Sequence, residues 1–122
     1  AGLDNWRAIN RGAPTAPLYD DRLRLVGTKL YADGALGSRG AWLKAPYQDR
    51  PDTRGLRFNE DAALLAGARE VARGGGQLAI HAIGDAANAQ VIGIFEQLGA
   101  EFGAGRRPRI EHFQIADPRD LS

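Results

Sequence analysis

The chain contains no cysteine, which excludes disulfides and any thiolate metal site. That absence also permits a reducing compartment, and a cytoplasmic location is the expectation. An excess of one charge is lacking too. Sixteen basic residues stand against 15 acidic ones, leaving a net charge of +1. Such a balance offers no electrostatic footprint for nucleic acid or an anionic membrane. No apolar run approaches the length of a membrane span, and the opening AGLDNWRAIN lacks a basic-then-apolar signal pattern. Histidine is scarce, with two in 122 residues. Nothing suggests disorder: 43% hydrophobic and 25% charged residues are ordinary globular proportions, and the length suits one domain.

What is present centres on Gln77 to Asp85, QLAIHAIGD. Its first half is apolar and follows three glycines, the pattern of a short buried strand over 77–83. His81 stands at the strand's end. Gly84 then turns the chain, and Asp85 occupies the N-cap position of a helix expected from about Ala86 to Leu98. A strand that carries a histidine to its C-terminal end before a helix is how α/β barrels and open α/β sheets present chemistry.

Other segments follow the same plan. Leu3, Trp6 and Ile9 have the spacing of a short helical face, with Trp6 as a core anchor. Residues 23–33, LRLVGTKLYAD, read as a strand containing Lys29. A lysine in an apolar strand must be paired, modified or led out to solvent, and on pattern alone an edge-strand lysine reaching solvent is the simplest reading. Residues 59–73 form a helix capped by Asn59, with Leu64, Leu65, Ala68, Val71 and Ala72 as its buried stripe and Gly74 as its stop. Arg109 to Phe113, RIEHF, is a third short strand carrying His112, with Glu111 and His112 on opposite faces by the strand period. Asp117 and Pro118 have the chemistry of another helix start.

The connection over 33–58 is longer than compact domains usually keep without a binding or lid role. Arg39, Ser38 and the glycine backbone could take a carboxylate or phosphate, although the spacing is not that of a Walker or dinucleotide loop. Trp42 and Tyr47 either wall a pocket or hold the loop down. Repeated βα units imply parallel strands. Three strands alone would make a thin sheet with bare edges, so the expectation is a segment of a larger α/β body, an open sheet or a closed eightfold barrel.

Lys29, His81 and His112 each lie at or near the end of one of three successive strands. Two neutral imidazoles are good ligands for zinc and similar metals. A lysine ammonium is not a ligand, but it becomes one on deprotonation and carbamylation. A hydrogen-bonded strand-end histidine is the plain alternative for each imidazole, and the matching positions of both raise the metal reading to equal standing.

The phrases KLYADGALGSRGA, PYQDRP with a following Gly55, HAIGDAAN and RIEHFQ together resemble the amidohydrolase superfamily, within it amidohydrolase family 3, the YtcJ-like metal-dependent hydrolases. The resemblance runs from about Arg22 to Ser122. It implies a (β/α)8 TIM barrel of which this single segment, residues 1–122, spans roughly strands four to six with their helices. It implies that Lys29, His81 and His112 are metal ligands, with a lysine carbamate at Lys29 where two metals are held. The implied cofactor is a divalent metal, zinc first, with manganese, iron and nickel also accepted by such ligands. The implied reaction is hydrolysis of an amide-type, non-peptide carbon–nitrogen bond of a small molecule by metal-activated water. Asp33, Gly34 and Arg39 are the substrate-contact candidates. The family's His-x-His pair on strand one has no counterpart here, and its general-base aspartate should lie beyond Ser122. No catalytic base is therefore assigned, and the segment alone is expected to be inactive, with homo-oligomerisation as one way to cover its edges. The alternatives are a non-catalytic α/β assembly module with structural histidines, and an anion-binding module built on Arg39 and the glycine loop.

Overall fold

The computed structural model describes residues 2–121. A short helix α1 (Gly2–Ala8) precedes strand β1 (Gly27–Tyr31), and helix α2 (Asp61–Arg73) leads to β2 (Gln77–Ala82). Helix α3 (Asp85–Phe102) then leads to β3 (Arg109–His112). The strands form one parallel sheet in the order β1-β2-β3, with Tyr31 level with His81 and His81 level with Glu111. This is the α/β class expected from alternating strand and helix patterns.

Strand period decides the faces. Leu78, Ile80 and Ala82 of β2 are buried in the cluster formed with Leu64, Ala68, Val71, Val91, Ile94 and Leu98 of the two long helices. Lys29, Tyr31 and His81 belong to the opposite register and line the other face. Trp6 is buried against the core, the anchoring role its sequence position suggested. Among the described residues, no helix is long and apolar enough to cross a membrane.

Several boundaries differ from the sequence reading, each for a local reason. The first strand is shorter than 23–33 because Leu23 pairs antiparallel with Leu18 instead. Asn59 does not cap α2. Its amide donates to the Tyr31 carbonyl at 2.9 Å, and Glu60 takes the cap position without a side-chain bond. Helix α3 runs through Gly99 to Phe102, because a helical glycine costs only about 1 kcal/mol and Gly103, at φ +81°, supplies the stop. Asp85 is the first helical residue rather than the cap. Its Oδ1 accepts from Ala86 N and also from Lys44 N.

The connection 33–58 is folded on itself. Gly34 N donates to Gly40 O, Leu43 N to Arg54 O, and the buried Tyr47 hydroxyl to Ala41 O. Tyr47 therefore holds the loop down, and Trp42 carries Arg57 stacked 5.0 Å above its ring.

Lys44 closes the loop onto the segment after β3, with Nζ 2.8 Å from Asp117 and 2.6 Å from Asp120. Arg119 and then Lys44 hold the Asp117 carboxyl well below the usual carboxylate range. A depressed carboxyl contributes stability fully above its unfolded pKa, about 3.9, and loses it as pH falls toward the folded value. Lys44→Met is therefore expected to lower stability at neutral pH by an amount that shrinks between about pH 4 and 2. Urea midpoints measured across that range check it, and a gap independent of pH would refute the clasp.

Candidate metal centre

His81 is the penultimate residue of β2 and is 9% exposed. Its Nε2 lies 3.2 Å from the Gly34 carbonyl and 3.3 Å from Asp33 Oδ1. The Tyr31 ring, level with it on β1, stands 5.4 Å away centroid to centroid. Lys29 lies two residues earlier on the same face, a descent of about 6.6 Å that its four-carbon stem can span. Its Nζ sits 5.2 Å over the Tyr31 ring, and among the described residues it has no carboxylate partner.

His112 is level with Ala82, whose side chain is in the helix-side core, so regular alternation would put this imidazole among the helices. Instead its φ is +80°, followed by +49° at Phe113. The alternation breaks there, and the His112 ring meets the His81 ring edge-on, 4.6 Å between centroids and 70° between planes. Non-glycine residues at such angles cost about 1–3 kcal/mol each and persist where the surroundings enforce them, most often at functional sites. The two histidines of the chain are thus brought together at the strand ends, one of them by strained backbone.

The chemistry of these donors fits part of a metal site. Two adjacent imidazoles, one with a ring nitrogen already committed to oxygen acceptors, suit a borderline-soft divalent ion. They do not complete one: no group of three or more histidine, cysteine or acidic side chains with metal-holding geometry occurs among the described residues.

The substrate-contact candidates each have partners within the chain. Asp33 is fully buried, and its carboxylate accepts from Trp42 N, Ile83 N and Gly84 N at 2.9, 3.0 and 2.8 Å. It pins the loop to the end of β2 and faces His81 rather than open space. Gly34 turns its carbonyl to His81 and its N–H to Gly40. Arg39 stands outside the constellation. Its guanidinium bonds Asp49 at 2.5–3.0 Å on the exposed side of the loop, which holds the Asp49 carboxyl low and the Arg39 guanidinium high. Tyr31 was not singled out from the sequence, although its two-residue spacing from Lys29 signalled the shared face.

A sequence profile described as "Amidohydrolase family" matches residues 6–122. The chain is 36% identical over 115 residues to the putative amidohydrolase YtcJ of Bacillus subtilis (strain 168), covering 94% of this chain and 21% of that protein. It is 39% identical over 118 residues to Protein LONG AFTER FAR-RED 3 of Arabidopsis thaliana, covering 95% and 20%. A crystal structure described as an uncharacterized metal-dependent hydrolase from Pyrococcus horikoshii OT3 superimposes with a TM-score of 0.79 at 35% identity, over 98% of this chain and 23% of that one. A similarly described protein from Pyrococcus furiosus gives 0.77 at 34% identity, with the same coverage. The chain spans about a fifth of the length of the curated relatives it matches. With the profile covering nearly all of its residues, the chain belongs to the amidohydrolase family.

Proposed function

We propose that this chain forms part of the catalytic (β/α)8 barrel of a metal-dependent hydrolase acting on amide-type, non-peptide carbon–nitrogen bonds of small molecules. The carrying observation is the edge-on meeting of His81 and His112 at adjacent strand ends, achieved through the left-handed backbone of His112. The metal-dependent character of the two archaeal neighbours supports it. His81, His112 and Lys29 would hold the metal, zinc being the first choice for imidazole ligands, and a carbamate on Lys29 would make that side chain a third ligand. The bound ion supplies Lewis acidity toward a carbonyl oxygen and toward water. Around it, Tyr31 packs beside His81 and carries the Lys29 ammonium over its ring, while the loop pinned by Asp33 walls the strand ends. The general base and the remaining ligands belong to residues outside this segment.

The test is elemental analysis of the purified full-length protein, with hydrolysis assays on a panel of small amides. Bound divalent metal, activity lost to chelation and activity restored by zinc are the expected results. A metal-free preparation that hydrolyses the panel unaided would overturn the proposal. Carbamylation of Lys29 predicts in addition that reconstitution is faster with added bicarbonate, and that Lys29→Ala abolishes this dependence. Anion binding by Arg39 finds less support, because that guanidinium is already paired with Asp49.

A further inference from the structure

Asp33 is the most enclosed acidic group of the described chain, and its surroundings are unusually specific. It is 0% exposed. Oδ2 accepts from Trp42 N and Gly84 N, and Oδ1 accepts from Ile83 N. Three backbone donors from two separate segments thus fix both the plane and the position of the carboxylate. What remains of Oδ1 is directed to His81 Nε2 at 3.3 Å, and the Gly34 carbonyl approaches the same nitrogen at 3.2 Å.

Both of these neighbours are oxygens without a proton to give. A neutral imidazole carries one N–H, so the nitrogen that meets two acceptors must be the protonated one. We infer that Asp33, with the Gly34 carbonyl, is a positioning element that locks His81 as the Nε2–H tautomer and leaves Nδ1 as its bare, lone-pair-bearing nitrogen. No hydrogen-bond partner for Nδ1 occurs among the described residues. The buried pin of the loop is therefore also the group that decides which ring nitrogen is offered at the strand ends. Where the metal role is concerned, this rests on the function proposed above. Metal-bound histidines commonly give their second ring N–H to a carboxylate or a carbonyl, and losing that partner costs about 10–100-fold in metal affinity.

The same geometry explains why an acid is needed rather than its isosteric amide. In Asp33→Asn, keeping the amide oxygen at the Oδ2 position preserves acceptance from Trp42 and Gly84. That places the NH2 group at the Oδ1 position, where it loses the bond from Ile83 N–H and points a donor at His81 Nε2. The Gly34 carbonyl still faces Nε2, so the exchange removes one of its two acceptors and shifts the balance toward the form protonated on Nδ1, the nitrogen offered to the metal. A wrong tautomer imposed on a catalytic histidine by such an exchange is known to be severe where it has been measured in a serine protease.

The experiment uses the full-length protein, metal-free and labelled with 15N-histidine, at about pH 8, where an ordinary imidazole is neutral. The His81 signals are assigned by their loss in His81→Gln. The wild type is expected to show Nε2 protonated and Nδ1 bare, and Asp33→Asn to show a raised share of the Nδ1-protonated form. Zinc affinity, measured by chelator competition, is expected to fall about 10–100-fold in Asp33→Asn. If the amide variant does not fold, the wild-type tautomer decides alone. A wild-type Nδ1–H form, or an even mixture, overturns the inference whatever the metal content. A wild-type Nε2–H form in a protein that binds no zinc keeps the positioning role and removes the metal reading instead.

Discussion

His112→Gly is expected to lower zinc affinity by more than about 100-fold while leaving the metal-free protein as stable as before, or up to about 1 kcal/mol more stable. The two effects have separate causes on one residue. The imidazole is one of only two in the chain and sits edge-on to the other. With His112 as a ligand of the proposed metal, removing it is a larger loss than the about 10–100-fold typical of an outer partner. The backbone, by contrast, is at φ +80°, where glycine rests without a Cβ penalty. Glycine surrenders the ring contact with His81, about 0.5–1.5 kcal/mol, and recovers strain of about 1–3 kcal/mol, less what its freer unfolded chain costs. His112→Ala keeps the strain and loses the ring, so it should be the less stable of the two variants despite its smaller change in shape. Denaturation of the metal-free variants and zinc titration of each provide the comparison. An alanine variant more stable than the glycine variant would mean that the left-handed conformation is not a source of strain here. Zinc affinity that survives both substitutions would remove His112 from the site.

The sequence shows different parts of this molecule with unequal clarity, for identifiable reasons. The core was readable because it rests on period alone. Leu64, Leu65, Ala68, Val71 and Ala72 repeat at helical spacing, and Leu78 and Ile80 alternate along a strand, and all of them are buried. The pairing of His81 with His112 was readable as two strand ends but not as a contact. Strict alternation sends His112 to the helix side, and only a positive φ, invisible in a single sequence, returns it. The burial of Asp33 was not legible, because its three backbone donors come from residues nine and more positions away. Arg39 is the opposite case, turned to the exposed side of the loop. Nothing in GSRGA indicates that Asp49, ten residues on, will take its charge. Local pattern thus predicted what neighbours in sequence decide, and missed what the folding of the 33–58 loop onto the strand ends decides.

Gly84 carries that last point to a testable extreme. The sequence suggests a turn glycine, chosen for its conformational freedom. Its actual φ and ψ are −72° and 155°, extended backbone that any residue adopts. The need is for space. A Cβ built there would lie 1.9 Å from the Trp42 carbonyl oxygen, 2.5 Å from its carbon and 2.8 Å from the Trp42 nitrogen. All three are backbone atoms, so no rotamer change relieves the clash, and the loop itself must retreat. Trp42 N is one of the donors holding Asp33, and Trp42 O meets the Ala87 N–H in the first turn of α3, where orphan donors need partners. Gly84→Ala is therefore expected to cost about 3 kcal/mol or more, at the upper end for overpacking, and to strip hydrogen-exchange protection from Trp42, Ile83 and Gly84's replacement together. Gly99→Ala is the counterpart within the helix that Gly84 precedes, since a Cβ there meets nothing within 4 Å. It should stabilise by about 0.5–1 kcal/mol through helix propensity alone. If the two alanines behave alike, the loop does not press on the strand end as the structure has it. If Gly84→Ala unpins the loop and zinc affinity falls with it, the wall over 33–58 and the orientation of His81 are one mechanical unit, joined through the Asp33 carboxylate.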